Sequence, residues 1–161
     1  MTPPRRSRFT LVELVIVIAV ILIVISVFLG VLTHSREKAR RVACQGNLIT
    51  IGRALRMYAD DWQECFPLSS DNNFQPLVDL SYLGPGLHYG CPSSFYYGKA
   101  SALDSDYLYL GSGRRLNDPT PGLTSAAYDL SGNHPNNSWI NVLFLDGHVN
   151  GHPVGENGEF N

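Results

Sequence analysis

The longest apolar block lies near the start of the chain. Leu14 to Thr33, LVIVIAVILIVISVFLGVLT, is an uncharged run of 20 residues. Apolar side chains would cover every face of a helix drawn through it, which excludes an amphipathic surface helix. At about 1.5 Å per residue such a run spans the ~30 Å hydrocarbon core of a bilayer, so a transmembrane helix is expected. A cleavable secretory signal fits less well. The run exceeds the usual h-region of about 7–15 residues, and no small-x-small site follows in FLGVLTHSREK.

The pattern then changes without a break. Cys44, Leu48, Ile51, Leu55, Tyr58 and Trp62 recur at spacings of 4, 3, 4, 3 and 4, which draws one stripe along a helix. Arg41, Asn47, Arg53, Arg56 and Asp60 fall off that stripe. One helix from Thr10 to Trp62 would be roughly 80 Å long. Residues 35–43 are expected to form an exposed neck, and the stripe from Cys44 onward to pack on a globular module. Beyond Phe66-Pro67 the chain is punctuated by turn signals, SSDNN and LGPG. A short helix is expected over Leu77–Leu83. Strands are expected over Asp106–Leu110 and Trp139–Leu145, the latter turning at Asp146-Gly147 into His148-Val149, a hairpin signal. Arg114 to Ser125 reads as turns.

Composition sharpens the division. No proline falls between Arg5 and Phe66, and only Gly30, Gly46 and Gly52 of the 15 glycines precede Phe66. Residues 1–65 carry 9 Lys/Arg against 5 Asp/Glu, net +4; residues 66–161 carry 3 against 9, net -6. The whole chain, at net -2 and 44% hydrophobic, is too apolar to be disordered and too acidic to suggest a nucleic-acid binder. The basic cluster Arg36, Lys38, Arg40 and Arg41 is read as a solvated neck near lipid head groups or acidic neighbours; no nucleic-acid partner is expected. Lys/Arg counts on the two sides of the apolar run do not choose an orientation. The basic start, Arg5, Arg6 and Arg8, and a Cys-bearing module suited to an oxidising compartment favour a cytoplasmic N-terminus.

Glu13 stands at the edge of the apolar run, where a carboxylate needs a partner or a role. Its context, Arg5-Arg6-Ser7-Arg8-Phe9-Thr10-Leu11-Val12-Glu13-Leu14, resembles the start of type IV prepilins and type II secretion pseudopilins: a short basic leader, a cut before Phe, a Glu four residues on and about twenty apolar residues. Looser similarity to a large pseudopilin-like subgroup runs through Cys44-Gln45-Gly46-Asn47-Leu48, Tyr58–Asp61, Cys91-Pro92-Ser93 and NVLFLDGHV. Arg8 stands where the family has Gly, and Gly30 near where many members have Pro. The resemblance implies that a prepilin peptidase cuts between Arg8 and Phe9 and methylates the new amine. It also implies that Glu13 pairs with the Phe9 amine of a neighbouring subunit. In a low-dielectric core such a pair attracts strongly, while either charge alone is heavily penalised.

Cys44, Cys65 and Cys91 are an odd set. Cys44 with Cys91 is the first pairing considered, because it would staple the loop region to the helix; Cys65 with Cys91 and three reduced thiols remain open. No Cys-x-x-Cys is present, so neither a zinc nor a redox site is expected. His148 and His152 are separated by a helix-breaking segment, His88 and His134 read as loop residues, and no HExxH or Ser-His-Asp arrangement is found. Calcium is the one metal considered. Asp104, Asp106 and Asp118, with Asn117 and Asp129 nearby in sequence, offer hard oxygens, in a spacing unlike an EF-hand.

The expected fold is α+β and pilin-like: a long N-terminal helix, half transmembrane and half amphipathic, packed on a small antiparallel sheet. The expected segments are a leader at 1–8, a transmembrane and filament-core helix at 9–33, a helix continuation at 34–65 and an acidic, loop-rich head at 66–161. The expected role is structural rather than enzymatic: a pilin or pseudopilin of a bacterial inner membrane, single-pass, with its head in the periplasm or on a surface filament. Expected partners are prepilin peptidase, other pilin or pseudopilin subunits, an inner-membrane assembly platform and the lipid bilayer. The rival reading is a membrane-tethered binding module that never polymerises, using Tyr82, Tyr89, Tyr96 and Tyr97.

Overall fold

A computed structural model describes residues 9–154, with the side chains of 28–33 excepted. The leader at 1–8, including Arg8, lies outside the described residues. Contacts divide the chain into two compact units, one ending at Glu37 and the other beginning at Lys38.

One helix, α1, runs from Leu11 to Asp61 over 51 residues. Its start follows from sequence. Thr10 at the N-cap and Glu13 three residues later form a capping box. The Thr10 amide donates to Glu13 Oε2 at 2.9 Å, and the Glu13 amide donates back to Thr10 Oγ1 at 3.3 Å. Apolar side chains from Leu11 to Val27 are exposed. Among the described residues no helix is long and apolar enough to cross a membrane. The uncharged run continues through residues 28–33, whose side chains are not described.

In the second unit α1 buries one face, Cys44, Leu48, Ile51, Ala54, Leu55 and Ala59. The helix ends one residue short of Trp62, which is half exposed and stacks on Tyr58 at 5.5 Å between centroids. Gln63 and Glu64 then adopt positive φ and turn the chain. Gly52 sits at a close approach of helix and sheet: a Cβ there would stand 2.8 Å from Leu143 Cδ1. Two residues placed off the stripe engage the head instead. Arg41 donates from Nη2 to Ser138 Oγ at 2.9 Å and lies 4.8 Å from the centre of the Trp139 ring. Asn47 Nδ2 donates to the Gly90 carbonyl at 2.8 Å.

The head continues through the short helix α2, Gln75–Asp79, then strands β1 Tyr107–Tyr109, β2 Ser125–Asp129, β3 Trp139–Phe144 and β4 Val149–Pro153. They form one antiparallel meander in the order β1-β2-β3-β4. Tyr107 pairs with Asp129, Tyr128 with Val142 and Val142 with Asn150. The Asp146-Gly147 hairpin forms as its turn chemistry requires, with Gly147 at φ 90. The second strand was not expected. Its central pair, Ala126 and Ala127, lacks the β-branched side chains that mark strands, yet both are buried between β1 and β3. Phe74, Tyr89, Tyr107, Tyr109, Leu143 and Leu145 complete a core against α1.

Candidate functional site

Two places carry the residues singled out by sequence. The first is the start of α1. Phe9 is 76% exposed. Glu13 lies in the first helical turn, its Oε2 accepting from the Thr10 amide and, at 2.9 Å, from the Thr10 hydroxyl. The carboxylate thus has a local structural role that sequence reading missed, although Thr-x-x-Glu is its signature. It also stands among exposed apolar side chains.

The second place is in the head. Cys44 on α1 and Cys91 are joined by a disulfide with Cα atoms 5.2 Å apart, closing a sequence separation of 47. Cys65 is the free cysteine, and its backbone bridges Arg115. The Cys91 segment is held by Asp106, whose Oδ2 accepts from the Cys91 amide and whose Oδ1 accepts from Ser94 Oγ, both at 2.8 Å. Behind the disulfide lies a buried polar group that sequence reading did not assemble. His134 Nε2 donates to Asp129 Oδ2 at 3.1 Å and lies 3.8 Å from Cys91 Sγ. The same Asp129 oxygen accepts from the Asn141 amide at 2.9 Å and from Asn141 Nδ2 at 2.7 Å. Asn141 is oriented in turn by Trp139 Nε1, 3.0 Å from its Oδ1. Asp129 and Asn141 come from adjacent strands, and His134 from the connection between them. No spacing rule in the sequence announces that meeting.

The aspartates considered for calcium are not brought together. Asp106 is committed to the Cys91 loop, whereas Asp118 Oδ1 caps its own turn, accepting from the Thr120 amide at 2.9 Å. Asp104 is exposed, in the turn that follows Ser101. Among the described residues the group able to hold an ion is Cys44, Cys91, Asp129 and His134.

The remaining candidates have local explanations. His148 stacks on Phe144 at 4.3 Å and bonds to Asp146 Oδ1. Partial burial pushes the Asp146 carboxyl up, but hydrogen bonds from the His148 amide and ring outweigh it and leave the group below its ordinary value. Tyr89 is not an exposed aromatic: it is fully buried, and burial pushes its hydroxyl up to about 12. Tyr82 closes the end of α1, donating to Asp61 Oδ2 at 2.8 Å, and that bond raises its pKa. Tyr96 is exposed. Arg36 and Lys38 are exposed, as the neck reading expects.

These features define an α+β protein with a long N-terminal helix and a disulfide-stapled meander head. Residues 33–89 match a family described as a protein of unknown function (DUF1559). The match runs from the neck of α1 to the buried Tyr89 and includes Cys44. No curated protein and no solved structure matches the chain.

Proposed function

We propose that this chain is a structural subunit, a pilin or pseudopilin, of a type II secretion or type IV pilus-like filament. The observation that carries the reading is Glu13: a carboxylate in the first turn of a helix whose side chains from Leu11 to Val27 are exposed and, apart from Ser26, otherwise apolar. Such a surface needs lipid before assembly and neighbouring helices after it. The FTLVEL context and the match over 33–89, to a family associated with prepilin-type proteins, support the same reading.

In this account residues 9–33 cross the bacterial inner membrane once, with the N-terminus cytoplasmic and the head in the periplasm. Prepilin peptidase removes the leader between Arg8 and Phe9 and methylates the Phe9 amine. On an assembly platform the helix leaves the bilayer and packs among copies, and each Glu13 meets the Phe9 ammonium of a neighbour. Water is excluded there, so the pair sets the axial register. The work is assembly, not catalysis.

Mass spectrometry of the membrane-extracted protein tests this directly. The expected N-terminus is N-methylated Phe9. A chain that retains residues 1–8 and occurs only as single copies overturns the proposal in favour of a simple tether.

A further inference from the structure

The buried group behind the disulfide is not used by the proposed assembly. Sγ of Cys44, Sγ of Cys91, a carboxylate oxygen of Asp129 and a ring nitrogen of His134 all lie within 4.8 Å of one another, and all four residues are buried. His134 Nε2 stands 3.8 Å from Cys91 Sγ, and its 3.1 Å hydrogen bond to Asp129 Oδ2 keeps the carboxylate beside the ring. Around zinc, with bonds of about 2.0–2.2 Å to N and O and about 2.3 Å to S, ligand atoms stand roughly 3.3–3.8 Å apart.

A second observation points the same way. Asp129 Oδ1 is buried and has no hydrogen-bond partner. A buried carboxylate oxygen without a donor is strongly penalised unless a proton or a cation meets it. The group is also pre-oriented. Asn141 holds Asp129 through Oδ2, as outer groups do around metal ligands. His134 precedes Pro135, which restricts its backbone, here φ -99 and ψ 146.

We propose that in the reduced chain Cys44, Cys91, His134 and Asp129 form a closed site for a zinc-class divalent cation, in exclusion of the disulfide. Two thiolates and an imidazole select such an ion over calcium or magnesium. Four protein ligands leave no open position, so the site is structural rather than catalytic. The chemistry balances simply. A phosphine or dithiol reductant delivers two electrons, and with two protons the S–S bond becomes two thiols. Zinc then displaces both thiol protons. Oxidation reverses the order: a disulfide-class oxidant takes two electrons from the thiolates as the sulfurs join, and the ion leaves. Either state ties α1 to the Cys91 loop; the ion would also tie both to β2 and the turn before β3.

The test uses the full chain in detergent, reduced by a phosphine, with Co2+ as the spectroscopic probe and Zn2+ as competitor. The expected result is one equivalent of Co2+ bound with thiolate charge-transfer absorption and tetrahedral d–d bands, bleached by Zn2+. The air-oxidised chain should give no such spectrum. Cys65→Ser should bind as the parent does, whereas His134→Ala and Asp129→Asn should each lose at least about tenfold in affinity. A reduced chain that unfolds without metal and refolds with it also supports the site. The inference is overturned if the reduced parent shows no tetrahedral thiolate spectrum, folded or not. It is equally overturned if the oxidised chain binds as well, or if the His134 and Asp129 variants bind undiminished.

Discussion

At Glu13 two roles coincide in one side chain. The carboxylate closes a capping box with Thr10, and in the proposed filament it also supplies a negative charge to a neighbour. A single substitution separates them. Glutamine at this position keeps the reciprocal hydrogen bonds of the box but carries no charge. Glu13→Gln should therefore insert and fold like the parent, yet assemble as poorly as Glu13→Ala or Glu13→Val. Filament yield by electron microscopy, set beside membrane insertion, gives the comparison. Normal assembly of the glutamine variant would leave Glu13 as a cap alone. The buried tyrosines are a second case in which one atom decides. Tyr89 titrates at about 12 rather than 10.0 because burial disfavours its anion, and Tyr107 and Tyr109 are raised by the same cause. Their contribution to stability is complete below pH 10 and is lost as pH rises through the folded values. A tyrosine free in water ionises near pH 10, whereas these three should ionise only as the head unfolds above about pH 12. Absorbance at 295 nm followed beside circular dichroism distinguishes the cases. Ionisation of all eight near pH 10 with the fold intact would contradict the burial.

Among the elements, α1 and the β3–β4 hairpin were legible because their signals are local. A spacing of 3 and 4, a Thr-x-x-Glu start and an Asp-Gly turn each act within a few residues. The stripe overshot only at Trp62, where Gln63 and Glu64 turn the chain and the indole closes against Tyr58 and Tyr82 instead. Strand β2 was hidden because its place is set by neighbours. Ala126 and Ala127 are buried because β1 and β3 flank them, a placement that exists only once the sheet has formed. The His134–Asp129–Asn141 group is illegible for the same reason, being assembled by sheet register. The Cys44–Cys91 link belongs to this scale, since it joins α1 to a loop with little regular structure of its own. In the chain-entropy account, closing a loop of this length stabilises by about 4 kcal/mol. The double variant Cys44→Ser, Cys91→Ser should lose about that much in denaturant unfolding of the metal-free protein. A loss under about 1 kcal/mol would mean that packing alone holds the Cys91 loop on the helix.

Across the whole molecule, one continuous helix belongs to two compact units, so its stability should not be uniform along its length. The backbone is helical throughout, but tertiary burial is not uniform. Ser35, Arg36, Lys38 and Ala39 are exposed, whereas Cys44, Leu48, Ile51, Leu55 and Ala59 have almost no accessible surface. A helix in water is marginal without packing, and opening an unpacked turn exposes little new apolar area. Opening the turns from Cys44 onward instead exposes the stripe and disturbs the sheet at Leu143. Amide hydrogen exchange on the detergent-solubilised chain should therefore fall into two regimes within one helix. Residues 35–40 should exchange by local opening, at least about a hundredfold faster than residues 48–59, whose protection should approach that of global unfolding. Breaking the Cys44–Cys91 link should lower protection over 48–59 and leave 35–40 unchanged, because only the former is limited by the stability of the head. Equal protection from Ser35 to Ala59 would contradict this, and would require the neck to be covered by contacts beyond the single chain.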